Sequence, residues 1–140
     1  MKKKILIGSA IILGVIALLG VVLYITVPKI LFSQVDRVEF CGQSSCDGPM
    51  TKTVVLSDSE AWRTVLYYNI ALYQGEVMAE GCDSDFTFNI FLKNGNRIRL
   101  IEAYSPRIEV EATSRDQIWV NSALLTAFAQ ELIVKYGLTI

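Results

Sequence analysis

Cysteines and carboxylates are the side chains of this chain that could carry out chemistry, because the sequence contains no histidine. Histidine is the commonest general base for a serine or cysteine nucleophile, so its absence excludes the usual hydrolase triads. Three cysteines are present, at Cys41, Cys46 and Cys82. A zinc site built without histidine would need all three thiolates and a neighbouring aspartate.

The spacing of Cys41 and Cys46 predicts a disulfide that closes the short loop between them, with Cys82 left over. An alternative pairs Cys82 with either of the other two. Four residues separate Cys41 from Cys46, which differs from the two-residue spacing of redox motifs. Free thiols and a metal-binding set are the remaining alternatives for these three residues.

The carboxylates have structural explanations. Asp58 and Glu60 fit the start of a helix, because Ser57 and Glu60 have the spacing of a capping box. Acidic residues between Glu76 and Asp85 could offer oxygen ligands to calcium, but the glycine-punctuated loop of calcium sites is missing. The sequence therefore predicts no catalytic residue, no cofactor and no metal site. A small envelope enzyme or metal-binding domain that uses carboxylates or cysteines is the alternative function.

An apolar run at residues 5–27 must position everything that follows it. Its 23 residues make a helix of about 35 Å, which exceeds a hydrocarbon core of about 30 Å. The run is longer than the apolar region of a cleavable signal peptide and has no small-residue cleavage site behind it. We therefore predict an uncleaved transmembrane signal anchor, followed by a short tether at residues 28–34.

Charge predicts the orientation of this anchor. Lys2, Lys3 and Lys4 precede it, and only Lys29 follows closely. The positive-inside rule then places residues 1–4 in the cytoplasm and residues 35–140 outside, as one domain of the cell envelope. Small residues recur on one face of the helix and would suit close packing against another membrane helix, which favours a structural subunit of a membrane complex as a further alternative. They are Ala10, Gly14 and Ala17.

The part of the chain from Ser33 onward carries 9 basic and 14 acidic residues, a net charge of −5. This acidic balance argues against a nucleic-acid partner. Periodicity predicts the element order β-β-α-β-β-β-β-α and hence a two-layer α+β domain, an antiparallel sheet with both helices on one face. The first domain helix is expected to run from Ser57 to Gly75, and an exposed loop is expected from Glu76 to Asp85. The helix residues expected to face the core are Trp62, Val65, Leu66, Ile70 and Tyr73.

A hairpin gives the clearest local pattern. A three-residue loop with Gly95 in the left-handed position pairs Ile90 with Ile98, whereas a two-residue Asn-Gly turn would place a charge on the core face opposite Ile90. We therefore predict the three-residue loop, which also pairs Phe88 with Leu100.

The outward face of the predicted sheet is the candidate partner surface. Large apolar side chains stand there among charges, as in protein-binding surfaces. The alternative is the ordinary wet face of an antiparallel sheet, covered by cross-strand ion pairs. We expect a non-catalytic binding or accessory module, held in the membrane by a single helix. The residues of this surface are Phe91, Arg97, Arg99, Ile101 and Trp119.

Overall fold

A computed structural model describes residues 1–26, 29–44, 52–76, 84–104, 107–112 and 118–138. A long N-terminal helix precedes one α+β unit of seven strands and two helices, with a single 3₁₀ turn at Phe32–Gln34. The elements are α1 (Lys2–Thr26), β1 (Val35–Ser44), β2 (Thr53–Val55), α2 (Asp58–Asn69), β3 (Leu72–Glu76), β4 (Ser84–Leu92), β5 (Arg97–Tyr104), β6 (Arg107–Ala112), β7 (Ile118–Asn121) and α3 (Ala123–Tyr136).

The seven strands form one sheet in the order β2-β1-β4-β5-β6-β7-β3, and every neighbouring pair is antiparallel. Helices α2 and α3 lie side by side on one face of this sheet, where Tyr67 contacts Phe128 and Phe128 stacks on Phe88. The predicted two-layer α+β architecture is confirmed.

Aromatic rings fill the space between the sheet and the helices. Phe40, Phe86, Phe88 and Phe128 are at most 2% exposed, and their ring centroids lie 4.7 to 6.4 Å apart in contacting pairs. Such side chains bury large apolar areas and add a preference for tilted or offset ring geometry. This one-sided core sets which face of each strand is turned inward.

The predicted hairpin register is confirmed. Ile90 pairs with Ile98 and Phe88 pairs with Leu100. The loop closes through hydrogen bonds from the Leu92 amide to the Asn96 carbonyl and from the Gly95 amide to the Leu92 carbonyl, 2.9 and 3.0 Å. Gly95 has a φ of 89°, in the region that a side chain disfavours.

Helix α2 is rotated relative to the prediction. Of the residues expected to face the core, Val65 is 3% exposed as predicted, but Trp62, Leu66 and Ile70 are 51%, 37% and 45% exposed. The buried side is instead formed by smaller residues and one tyrosine, which let the helix lie close to the sheet. The buried set facing the sheet is Ala61, Thr64, Val65 and Tyr68.

The predicted end of this helix at Gly75 is also wrong. The helix ends at Asn69, and the chain continues into β3, an edge strand paired with β7. Gly75 has a φ of 149° and lies at a register shift after Tyr73. Glycine therefore permits an irregularity in a strand here, where the sequence suggested a helix stop. The observed domain has seven strands where six were predicted.

The tether is fixed to the domain by Asn69. The Ile30 amide donates to Asn69 Oδ1 at 2.8 Å, and Asn69 Nδ2 donates to the Ile30 carbonyl at 2.7 Å. Ile30 is 4% exposed, and α1 contacts β3. The domain is therefore tied closely to the end of α1.

Glu60 joins the two domain helices. The predicted capping box is present, with the Ser57 amide donating to Glu60 Oε1 at 3.1 Å. The Tyr136 hydroxyl also donates to Oε1 at 2.6 Å, and Lys135 Nζ donates to Oε2 at 2.9 Å. Burial alone would raise the pKa of Glu60, but hydrogen bonds from Tyr136, Lys135 and Ser57 outweigh burial and lower its pKa to about 2.

Replacing Glu60 by Gln is expected to lower the free energy of unfolding at pH 7 by about 2 kcal/mol, because the ionised carboxylate is stabilised in the folded state. This advantage is complete above the unfolded pKa of 4.5 and decreases as the pH falls towards the folded value of about 2. Urea titrations at several pH values measure the effect.

The matched control is Glu131→Gln, since Glu131 forms an exposed ion pair with Arg63 at 3.2 Å. We expect this control to cost below about 1 kcal/mol. Equal losses from the two variants, unchanged between pH 7 and pH 3, would contradict the assignment to Glu60.

Candidate functional site

The sheet face opposite α2 and α3 is the candidate site. Among the described residues, no helix lies over this face. Strand pairing brings the five predicted residues together here. We call it the open face and define it by Phe91, Arg97, Arg99, Ile101 and Trp119, together with Arg37, Glu39, Thr87, Asn89, Arg107, Glu109 and Glu111.

Cross-strand pairing orders these side chains into rows. Ile101 pairs with Glu109, which in turn pairs with Trp119. Phe91 pairs with Arg97 on one side and Arg37 on the other. Side chains directly opposite each other in an antiparallel sheet lie close enough to interact. The predicted residues therefore form a continuous surface.

Arginine side chains stack on two aromatic rings of the open face. The Arg37 guanidinium lies 4.0 Å from the centroid of Phe91, and that of Arg107 lies 4.4 Å from the centroid of Trp119. Such contacts orient a guanidinium and leave its edge available to an acceptor. A hydrogen bond to Glu39 at 2.9 Å raises the pKa of Arg37.

Acidic residues alternate with these arginines. Arg99 Nη1 lies 3.3 Å from Glu111 Oε2 in a half-exposed ion pair. Glu109 lies in the pairing row between Ile101 and Trp119 and is 6% exposed. Glu109 therefore lies on the open face although its side chain is buried.

Three polar atoms of the open face are buried and have no hydrogen-bond partner among the residues that the structure describes. They are Thr87 Oγ1, Asn89 Oδ1 and Trp119 Nε1. Leaving such a group unpaired costs about 1 to 3 kcal/mol, so unpaired groups are uncommon in native proteins. Thr87 is 1% exposed and Asn89 is 7% exposed. The sequence search missed both, although their alternation with phenylalanines in β4 placed them on this face.

The predicted disulfide is absent at Cys41. Cys41 is a free thiol, 2% exposed, and its Sγ lies 3.2 Å from Thr53 Oγ1. This contact with a hydroxyl group joins β1 to β2, so the sulfur lies within the sheet. The sequence instead predicts a position at the end of a short loop. Cys46 and Cys82 lie outside the described residues.

The other candidate chemistry lies elsewhere or is structural. Within the described ranges, no group of three or more cysteine, aspartate or glutamate side chains is placed to hold a metal ion. Asp58 and Glu60 stand in the first turn of α2, as predicted. Glu80 and Asp83, from the acidic stretch, lie outside the described residues.

The small-residue face of α1 is exposed in the part of the chain that the structure describes. Ala10, Gly14 and Ala17 are exposed, and a Cβ added to Gly14 would meet no atom within 4 Å. Residues Lys2–Val22 form a helix long and apolar enough to cross a membrane. Packing of this face against another helix stays a prediction.

Comparison with protein-family models, curated proteins and solved structures finds no significant match to this chain. The arguments about function therefore depend on the geometry of its own residues.

Replacing Thr87 by Val is expected to raise the free energy of unfolding by about 1 kcal/mol, because a methyl group of similar shape replaces an unpaired buried hydroxyl. Thermal or urea unfolding of the full chain measures the change.

Thr64→Val is the matched control. The Thr64 hydroxyl is also buried, but it donates to the Glu60 carbonyl at 2.9 Å. This variant loses a hydrogen bond and should be less stable than the parent. Equal destabilisation of the two variants would show that the Thr87 hydroxyl is satisfied in the folded protein.

Proposed function

We propose that this protein is a single-pass membrane protein whose domain, outside the cytoplasm, is a non-catalytic binding or accessory module of the cell envelope. Its open face is the surface that contacts a protein partner. The observation that carries the proposal is the combination of large apolar side chains and alternating charges on a sheet face that the described helices do not cover.

Anchoring by α1 has direct support from composition. Its apolar side chains from Ile5 to Val22 are exposed. A helix of this length whose apolar side chains are exposed on all sides is suited to the hydrocarbon core of a membrane. The lysines before it favour an N-terminus in the cytoplasm. The proposed location follows from these two arguments together.

The chemistry of the open face favours a protein over a nucleic acid. Interface centres are rich in tryptophan and arginine, and Trp119 stands with Arg107 stacked on it. Arginines and glutamates alternate across the strands, as in Arg99 and Glu111. A surface with charges of both signs suits a partner with a complementary pattern, whereas a nucleic acid requires an excess of positive charge.

Changing Trp119 to Ala is expected to remove a partner that co-purifies with the tagged full chain from detergent-solubilised membranes. The indole supplies the largest apolar area on the open face, so its loss should weaken binding about tenfold or more. The free energy of unfolding should fall by less than about 2 kcal/mol, because the side chain lies outside the core.

The control is Val134→Ala, since Val134 is 79% exposed on α3, in the helix layer. It should leave the co-purifying protein unchanged. Retention of the same partner by the Trp119 variant, or a severe loss of stability, would contradict a binding role for Trp119.

A further inference from the structure

One side of α2 exposes a row of large apolar side chains in the helix layer, away from the open face. Trp62, Leu66 and Ile70 follow each other at four-residue spacing and are 51%, 37% and 45% exposed. Residues four apart share one side of a helix. We call this row the α2 flank. No described element of the domain covers it.

The tether from α1 passes along the same side of the helix. Asn69 follows Trp62 by seven residues, which is close to two full helical turns. The side chains of these two residues therefore leave the helix axis in directions about 20° apart. Asn69 holds the Ile30 backbone through hydrogen bonds of 2.8 and 2.7 Å. The next tether residues, Leu31 and Phe32, are 64% and 41% exposed. The α2 flank and the tether therefore expose apolar surface on the same side of the domain.

Chain length places this side close to the membrane. Helix α1 has 25 residues and is about 37 Å long, slightly more than the hydrocarbon core, so its end reaches the headgroups. Four Cα steps separate Thr26 from Ile30 and span at most about 14 Å. Helix α1 also contacts β3 of the domain.

We propose that the α2 flank, with Leu31 and Phe32, lies against the phospholipid bilayer that α1 enters. This inference depends on the proposed anchoring by α1, but not on which side of the membrane the domain occupies. Tryptophan at the interface and aliphatic side chains below the headgroups are the usual arrangement of a helix lying on a membrane. The open face is thereby turned away from the lipid and left accessible to a partner.

The two tryptophans of the chain allow a direct test. Trp62 and Trp119 are the only tryptophans, one on the α2 flank and the other on the open face. Full-length Trp119→Phe and Trp62→Phe, each with one tryptophan left, are reconstituted into vesicles of phosphatidylcholine with or without bromine atoms near the headgroup end of the acyl chains. Bromine quenches tryptophan fluorescence at short range.

We expect brominated lipid to lower Trp62 fluorescence about twofold and to leave Trp119 nearly unchanged. Further replacement of Leu66 and Ile70 by Gln in the Trp119→Phe protein should reduce the quenching, while Val134→Gln should not. Circular dichroism checks that each protein is folded.

If the protein resists alkaline extraction but bromine quenches Trp62 no more than Trp119, the lipid contact is overturned and the anchor stands. Release of the protein from vesicles by alkaline extraction would overturn the anchor and the lipid contact together. Loss of partner binding in the Trp119 variant is a separate readout.

Discussion

Two hydrogen bonds between the Asn69 side chain and the Ile30 backbone fix the tether to the domain at the end of α2. Because they satisfy both backbone groups of a buried residue, the chain cannot leave this position without losing both bonds and the burial of Ile30. The domain therefore remains within a few residues of the helix end. This attachment sets how far the domain can lie from the end of α1.

The one-sided core is the second constraint. Phenylalanines from three elements meet on the helix side of the sheet, so the alternate residues of the same strands must stand on the other side. Short polar side chains such as Thr87 and Asn89 are covered there by larger neighbours, which leaves hydrogen-bonding groups unpaired beneath an apolar and charged surface. A fold selected for stability alone would place valine or leucine at such positions.

Local sequence signals predicted several parts of this fold. Gly95 could be read as a left-handed loop residue because the core pattern of β4 and β5 excluded the other register. Ser122 caps the start of α3 and Gly137 its end, and both residue types are common at those positions. Each signal combines a turn or cap residue with strict apolar periodicity, and neither part depends on distant contacts.

Other parts could not be predicted, because distant contacts decide them. Helix α2 has two overlapping apolar stripes, one through Trp62 and one through Val65, and the bonds from Tyr136 and Lys135 to Glu60 help to fix its rotation. Gly75 fits a helix end and a strand irregularity equally well, and only its pairing with β7 distinguishes them. The open face was predicted by alternation, whereas the burial of its polar atoms depends on the size of neighbours across the sheet.

The central claim is that α1 holds the domain outside the cytoplasm. Labelling with a membrane-impermeant maleimide tests it directly, using Ala127→Cys because Ala127 is exposed on α3. The account predicts that intact cells label this variant as strongly as permeabilised cells do, above the background of the parent chain. Labelling above that background only after permeabilisation would contradict it.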